Sequence, residues 1–112
     1  MKSRRCPCHP EPVSSYRVTL IVGRLRPGAT PEQVLPAAAD AAAELARVEA
    51  RDLEVVAGEA RIVVRFLADD DAHARSVAGR VVGEVSGLAT VPASVITRRE
   101  GSRWAPVLTP IG

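Results

Sequence analysis

The 112-residue sequence predicts a single α+β domain. Three observations predict it: runs with a two-residue apolar period, runs with a helical apolar period, and the order in which they follow one another. That order is strand, helix, strand, strand, helix, strand. A chain of this length can bury one core and is too short for two ordinary domains.

The domain is predicted to span residues 16–112. The preceding segment, residues 1–15, is rich in proline and serine and lacks an apolar period, which is typical of a flexible tail. From Tyr16 to Val22 apolar residues alternate with others, which predicts a strand with one face in the core.

A helix is predicted to follow, beginning after Thr30. Thr30 is a suitable N-cap, Pro31 suits the first helical position, and Gln33 completes a capping box. The apolar positions trace one helical face to about residue 50, and they are Val34, Ala38, Ala41, Leu45 and Val48. Pro36 lacks a backbone donor, so we expect a kink or a separate leading turn.

Two strands are predicted at 53–56 and 61–67, around the turn Ala57-Gly58-Glu59-Ala60. Gly58 tolerates the positive φ that a tight hairpin requires. The side chains expected in the core are those of Ile62, Val64 and Phe66, which leaves Arg61, Val63 and Arg65 on the other face.

A second helix is predicted to begin near Asp69, Asp70 and Asp71, since carboxylates favour the N-terminal end of a helix. Gly87 is its expected C-cap. Its predicted buried stripe consists of Ala74, Val77, Val81 and Val85. The last strand is predicted at 91–98, and the turn Glu100-Gly101-Ser102 favours a short fifth strand over 103–108.

This order of elements predicts a ferredoxin-like βαββαβ sandwich, with a four-stranded antiparallel sheet and both helices on one face. The other face then has no cover within one chain. Its apolar content predicts a homodimer joined through that face, the alternative being a solvated face with scattered apolar residues. The predicted interface residues are Arg17, Thr19, Ile21, Val63 and Trp104.

The loop after the first strand is the predicted ligand site. It combines Arg24 and Arg26 with Gly28 and the free amides of a helix beginning at Thr30, which together suit a phosphate or carboxylate. It matches no phosphate-binding motif, and an ordinary solvated loop is the alternative.

Metal binding and catalysis have only weak candidates. Cys6, Cys8 and His9 are acceptable ligands for zinc or copper(I), but no second cysteine pair completes a site. His73 lies beside the aspartate run and three residues before Ser76, a pattern more typical of helix capping than of an acid–base pair. No catalytic residue and no cofactor is predicted.

Composition narrows the function classes. The net charge is +2 and aromatic residues make up 3%, so base-stacking platforms and nucleic-acid binding are disfavoured. No segment has the roughly 20 apolar residues of a membrane span, and we expect a cytoplasmic protein. The favoured hypothesis is a small noncatalytic dimeric module that binds a partner protein or a small anionic ligand. The alternatives are a small enzyme of the dimeric α+β-barrel type and a weak nucleic-acid binder that uses arginines such as Arg17, Arg61 and Arg65.

Overall fold

The structure is a computed structural model that describes residues 13–107. It is an α+β fold in which five antiparallel strands form one sheet, in the order β2-β3-β1-β4-β5. This five-strand order is not that of a four-stranded ferredoxin-like sheet. The elements are β1 (Ser14–Val22), α1 (Pro31–Ala43), β2 (Arg47–Val56), β3 (Glu59–Ala68), α2 (Asp71–Ser86), β4 (Ala93–Glu100) and β5 (Arg103–Pro106).

The core lies between one face of the sheet and the two helices. Along β1 and β3 every second side chain is buried, as the apolar alternation predicts. The buried strand residues are Tyr16, Val18, Leu20, Ile62, Val64, Phe66, Ala68 and Ile96, and they pack with Val34, Ala38, Ala41, Ala42, Ala74, Val77, Val81 and Val85 of the helices. The many alanines let the helices approach the sheet closely, so this core needs few aromatic residues.

The first helix ends earlier than its apolar spacing predicts. It stops at Ala43, where the amides of Glu44 and Leu45 turn back to the carbonyls of the preceding turn. Leu45 is exposed, and Val48 belongs to β2, where it pairs with Phe66. The predicted helix to residue 50 and the strand starting at residue 53 are therefore wrong. The segment after α1 pairs along nearly the whole of β3, and this ladder satisfies its backbone N–H and C=O groups. That stabilisation outweighs the helical spacing of the apolar residues.

Proline at position 36 does not divide the helix. Pro36 lies inside α1, which is continuous from Pro31 to Ala43, so no separate leading turn forms. Pro36 is exposed, so the backbone acceptor that its missing N–H leaves unpaired stays near solvent. The N-terminus of α1 agrees with the prediction: the Thr30 amide donates to Gln33 Oε1 at 2.8 Å.

The predicted fifth strand forms, and the first strand begins earlier than predicted. A fifth strand does form, over Arg103–Pro106, and pairs with β4 through the register Arg99↔Trp104. The first strand begins at Ser14, two residues inside the predicted tail. The metal candidates Cys6, Cys8 and His9 lie outside the described residues.

The turn between β2 and β3 carries backbone strain that a substitution can remove. Ala57 has φ 54° and Gly58 has φ 78°, and an L-residue with a Cβ is disfavoured at the first of these positions. We expect Ala57→Gly to raise the free energy of unfolding by about 0.5–1 kcal/mol. Urea denaturation measures it. Ala60→Gly, in the strand just beyond the turn, is the control and should lower stability; a loss at both positions would contradict the assigned strain.

Candidate functional site

The face of the sheet that the helices leave uncovered is the candidate functional surface, and we call it the open face. Strand register defines it, since residues paired across neighbouring strands share a face. Arg17 lies opposite Arg65 and Thr97, and Thr19 lies opposite Val63 and Val95. All five residues predicted at the interface lie on this face: Arg17, Thr19, Ile21, Val63 and Trp104.

The centre of the open face is apolar. Thr19, Ile21 and Val63 are partly buried by their neighbours, whereas Val95 is 51% exposed. Beside them is a shallow depression of about 280 Å³, lined by Thr19, Ile21, Arg61, Ala93, Ser94 and Val95. Branched apolar side chains across three adjacent strands form a contiguous patch, which is unlike singly scattered surface residues.

Charges of both signs surround this patch on different strands. By register and contacts, the open face carries the arginines Arg17, Arg47, Arg61, Arg65 and Arg99 and the carboxylates Glu49, Asp52, Glu54 and Glu59. Four of the five arginines lie on β1, β3 and β4, whereas three of the four carboxylates lie on β2. Two ion pairs form, Arg61–Glu59 at 3.1 Å and Arg65–Glu49 at 3.4 Å.

Trp104 gathers three arginines at one end of the open face. The Arg17 guanidinium carbon lies 4.0 Å from the centroid of the indole ring, and those of Arg65 and Arg99 lie at 5.5 and 5.7 Å. We call these four residues the tryptophan cluster. Within residues 13–107, the Arg17 side chain makes no hydrogen bond or ion pair, and Arg65 Nε is buried without a hydrogen-bond acceptor.

Arg98, the residue before Arg99 in β4, lies on the opposite face of the sheet. Its Nη1 donates to both carboxylate oxygens of Asp71, at 2.7 and 3.0 Å, and the guanidinium also pairs with Glu100. The Tyr16 hydroxyl donates to Asp71 Oδ1 at 2.7 Å. Burial, followed by this bond to a carboxylate, raises the pKa of Tyr16 to about 12, and the same bond lowers the pKa of Asp71. The network joins α2 to two strands.

The loop predicted to bind an anion is partly engaged in holding the fold. Arg26 Nε donates to the Ser86 carbonyl at 2.6 Å, and the Thr30 amide is used by Gln33. Gly28 has φ 86° and serves a turn. Arg24 is exposed, and its backbone amide donates to Thr90. Within residues 13–107, the Arg24 guanidinium and the Nη groups of Arg26 have no hydrogen-bond partner, and an anion site in this loop stays a prediction.

His73 has a structural position. The Asp69 amide donates to His73 Nδ1 at 3.1 Å, so the proton lies on Nε2, which donates to the Leu45 carbonyl at 2.8 Å. The ring thus ties the end of α1 to the start of α2, whose N-cap, Asp70, accepts from the His73 amide. Both ring nitrogens are used by the backbone, which leaves neither for a substrate.

The groove between α1 and the sheet is apolar. It has a volume of about 210 Å³, and its lining is Val22, Gly23, Leu25, Pro31, Val34, Leu35, Leu53, Ala60 and Ile62. It contains no titratable side chain, so it offers no acid, base or nucleophile. Among residues 13–107, no group of three or more histidine, cysteine or acidic side chains is arranged to hold a metal ion.

Sequence reasoning placed five residues of the open face together but did not place Arg65 beside Trp104. Arg65 reaches Trp104 because β3, β1, β4 and β5 are consecutive in the sheet, an adjacency that depends on strand order, whereas Arg99 pairs directly with Trp104 in the β4–β5 ladder. In the described part of the chain, neither helix is long and apolar enough to cross a membrane. Comparison with known proteins finds no matching family model, no matching curated protein and no matching solved structure.

Proposed function

We propose that the protein is a noncatalytic binding module that works as a homodimer joined through its open face. The observation that carries this proposal is an apolar centre, around Ile21 and Val63, bordered by arginines and carboxylates that lie mostly on different strands. Contiguous apolar surface with a charged border is the usual composition of a protein interface.

Charge balance favours a second copy over a nucleic acid. A polyanion would meet the arginines of β1 and β3 but also the carboxylates of β2, such as Asp52 and Glu54, which repel phosphates. A second copy supplies carboxylates to arginines and arginines to carboxylates when the two faces meet around a twofold axis. The face is thus complementary to itself.

The area of the open face is close to what such a contact needs. Strands spaced about 4.8 Å apart and about 30 Å long give a five-stranded sheet a projected area of about 600 Å². A standard interface takes about 800 Å² of accessible surface from each partner. Because side chains project from the sheet, the accessible area of the open face is larger than its projected area. The open face alone therefore approaches the size of a standard interface.

We also propose that the fold is a ferredoxin-like βαββαβ sandwich with one added strand. Strands β1 to β4 and the two helices follow the chain order βαββαβ, and β5 adds one strand beside β4. The extra strand contributes Trp104 to the open face, so the addition enlarges the surface that we propose as the interface.

The mass of the protein in solution tests the dimer. We expect light scattering to give twice the 11.8 kDa mass of the chain, and Ile21→Lys to give the monomer mass with an unchanged circular dichroism spectrum. A buried lysine opposite its own copy loses hydration and repels the second cation. Val55→Lys is the control, because Val55 is 69% exposed on the other side of the sheet and should leave the dimer intact.

Two results would contradict the proposal. The first is a wild-type protein that stays monomeric at every concentration measured. The second is an Ile21→Lys variant as dimeric as the wild type, which would place any interface elsewhere.

Because part of the attraction is between exposed charges, the dimer is also expected to weaken as salt concentration rises.

A further inference from the structure

We propose that the tryptophan cluster is a binding site for a phosphate group, with Arg17 and Arg65 as its main donors. The inference rests on the proposed binding role of the open face and gives that face a ligand class. It does not require the dimer, since all four residues of the cluster belong to one chain.

The cluster concentrates positive charge that the chain itself does not neutralise. Arg17 and Arg65 are directly paired across β1 and β3, a like-charge arrangement that destabilises a sheet. Among residues 13–107 the only carboxylate that forms an ion pair with a member of the cluster is Glu49, 3.4 Å from Arg65 Nε. Three guanidiniums around one ring therefore retain about two uncompensated positive charges, which an anion in solution would offset.

Trp104 holds the donors in place for such an anion. Its ring lies 4.0 Å from the guanidinium carbon of Arg17, a stacking distance that limits the motion of that side chain. Stacking uses the face of a guanidinium and leaves its N–H groups, which lie in the plane, free to donate to two oxygens at once. Trp104 is thus a positioning residue, while Arg17 supplies the hydrogen bonds.

The charge and geometry select the ligand class. A phosphate monoester carries about −1.5 to −2 charges at neutral pH and three acceptor oxygens, which matches two uncompensated charges and several guanidiniums. A monocarboxylate would neutralise only one. A nucleobase is not expected to stack here, because Arg17 already lies over the indole ring. The shared chemistry is the phosphate dianion, from free phosphate or from a small phosphomonoester.

The chain offers a site-specific probe, because Trp104 is its only tryptophan. We would titrate the full chain with inorganic phosphate and, separately, with glycerol phosphate, following Trp104 fluorescence at constant ionic strength maintained with chloride. We expect a saturable change for at least one ligand and one bound ligand per chain by calorimetry. Tighter binding of one ligand distinguishes free phosphate from the ester.

Variants separate this site from its alternatives. Arg17→Gln and Arg65→Gln are each expected to weaken binding at least tenfold, as measured by calorimetry. Arg51→Gln is the matched control, because Arg51 is an exposed arginine on the other face of the sheet. Arg24→Gln tests the predicted loop: a loss there, with Arg17→Gln unaffected, would move the site to that loop and overturn the proposal.

The same proteins distinguish a failure of the proposed phosphate site from a failure of the proposed dimer. Ile21→Lys is expected to be monomeric and still bind phosphate, since Ile21 lies outside the cluster. Absence of a saturable response to both ligands in the wild type overturns the phosphate site, whatever its mass. A monomeric wild type that binds phosphate overturns the dimer alone.

Discussion

Replacing Phe66 with alanine is expected to lower the free energy of unfolding by about 3–5 kcal/mol. Phe66 has no exposed surface and lies on β3, which has strands on both sides. Its ring stacks on that of Tyr16, with centroids 6.0 Å apart and planes 15° from parallel. The rest of the core is aliphatic and tightly packed, so no flexible neighbour can fill the space that the ring would leave.

Leu67→Ala, at the next position, is the control. Leu67 points to the open face and is only partly buried, so we expect a loss of about 1 kcal/mol. Urea denaturation followed by circular dichroism measures both, and Phe66→Leu provides a milder variant if the alanine variant does not fold. Equal losses at Phe66 and Leu67 would contradict the assignment of the core to one face of β3.

The two faces of the central strands could be predicted because their physical cause is local. A strand turns alternate side chains to opposite sides, so the apolar alternation along β1 and β3 specifies which side is buried. The predicted core residues Ile62, Val64 and Phe66 are confirmed on this ground. The N-cap regions were similarly local, since capping depends on residues three or four positions apart.

The boundary between α1 and β2 could not be predicted in the same way. Leu45 and Val48 continue the helical spacing of Val34 and Ala38, and nothing within the segment contradicts a longer helix. What ends the helix is pairing with β3, a partner about twenty residues further along the chain. Tertiary pairing outweighed local propensity, and no local signal records it.

One part of the candidate site could be predicted from the sequence, and another part could not. The open face was predicted from alternation, but the tryptophan cluster depends in part on strand order, which brings Arg65 of β3 to Trp104 of β5. Arg98 and Arg99 are adjacent in sequence, yet one pairs with Asp71 on the helix side and the other lies on the open face. The pleat of the strand places these two neighbours on opposite faces of the sheet.

Titration of the tyrosine is expected to give a midpoint near pH 12 in the folded protein and near pH 10 in urea. Tyr16 is the only tyrosine, so absorbance of the phenolate reports this one group. Ionisation would leave a charge at a partly buried position beside the Asp71 carboxylate, 2.7 Å from the hydroxyl, which is why burial and the hydrogen bond both favour the neutral form. A folded midpoint near 10 would contradict this burial.

The same shift makes the free energy of unfolding fall in alkali. Between pH about 10 and about 12 the unfolded chain loses the Tyr16 proton while the folded chain keeps it, so stability decreases as pH rises, by about 2–3 kcal/mol in all. Lys2 is the only lysine, so few other groups titrate in this window. Tyr16→Phe should remove the decline, at a loss of about 1 kcal/mol at neutral pH because Asp71 loses a donor. Asp71→Asn, which keeps the shape but removes the charge, should instead lower the folded midpoint, and an unchanged midpoint would mean that burial alone sets the pKa.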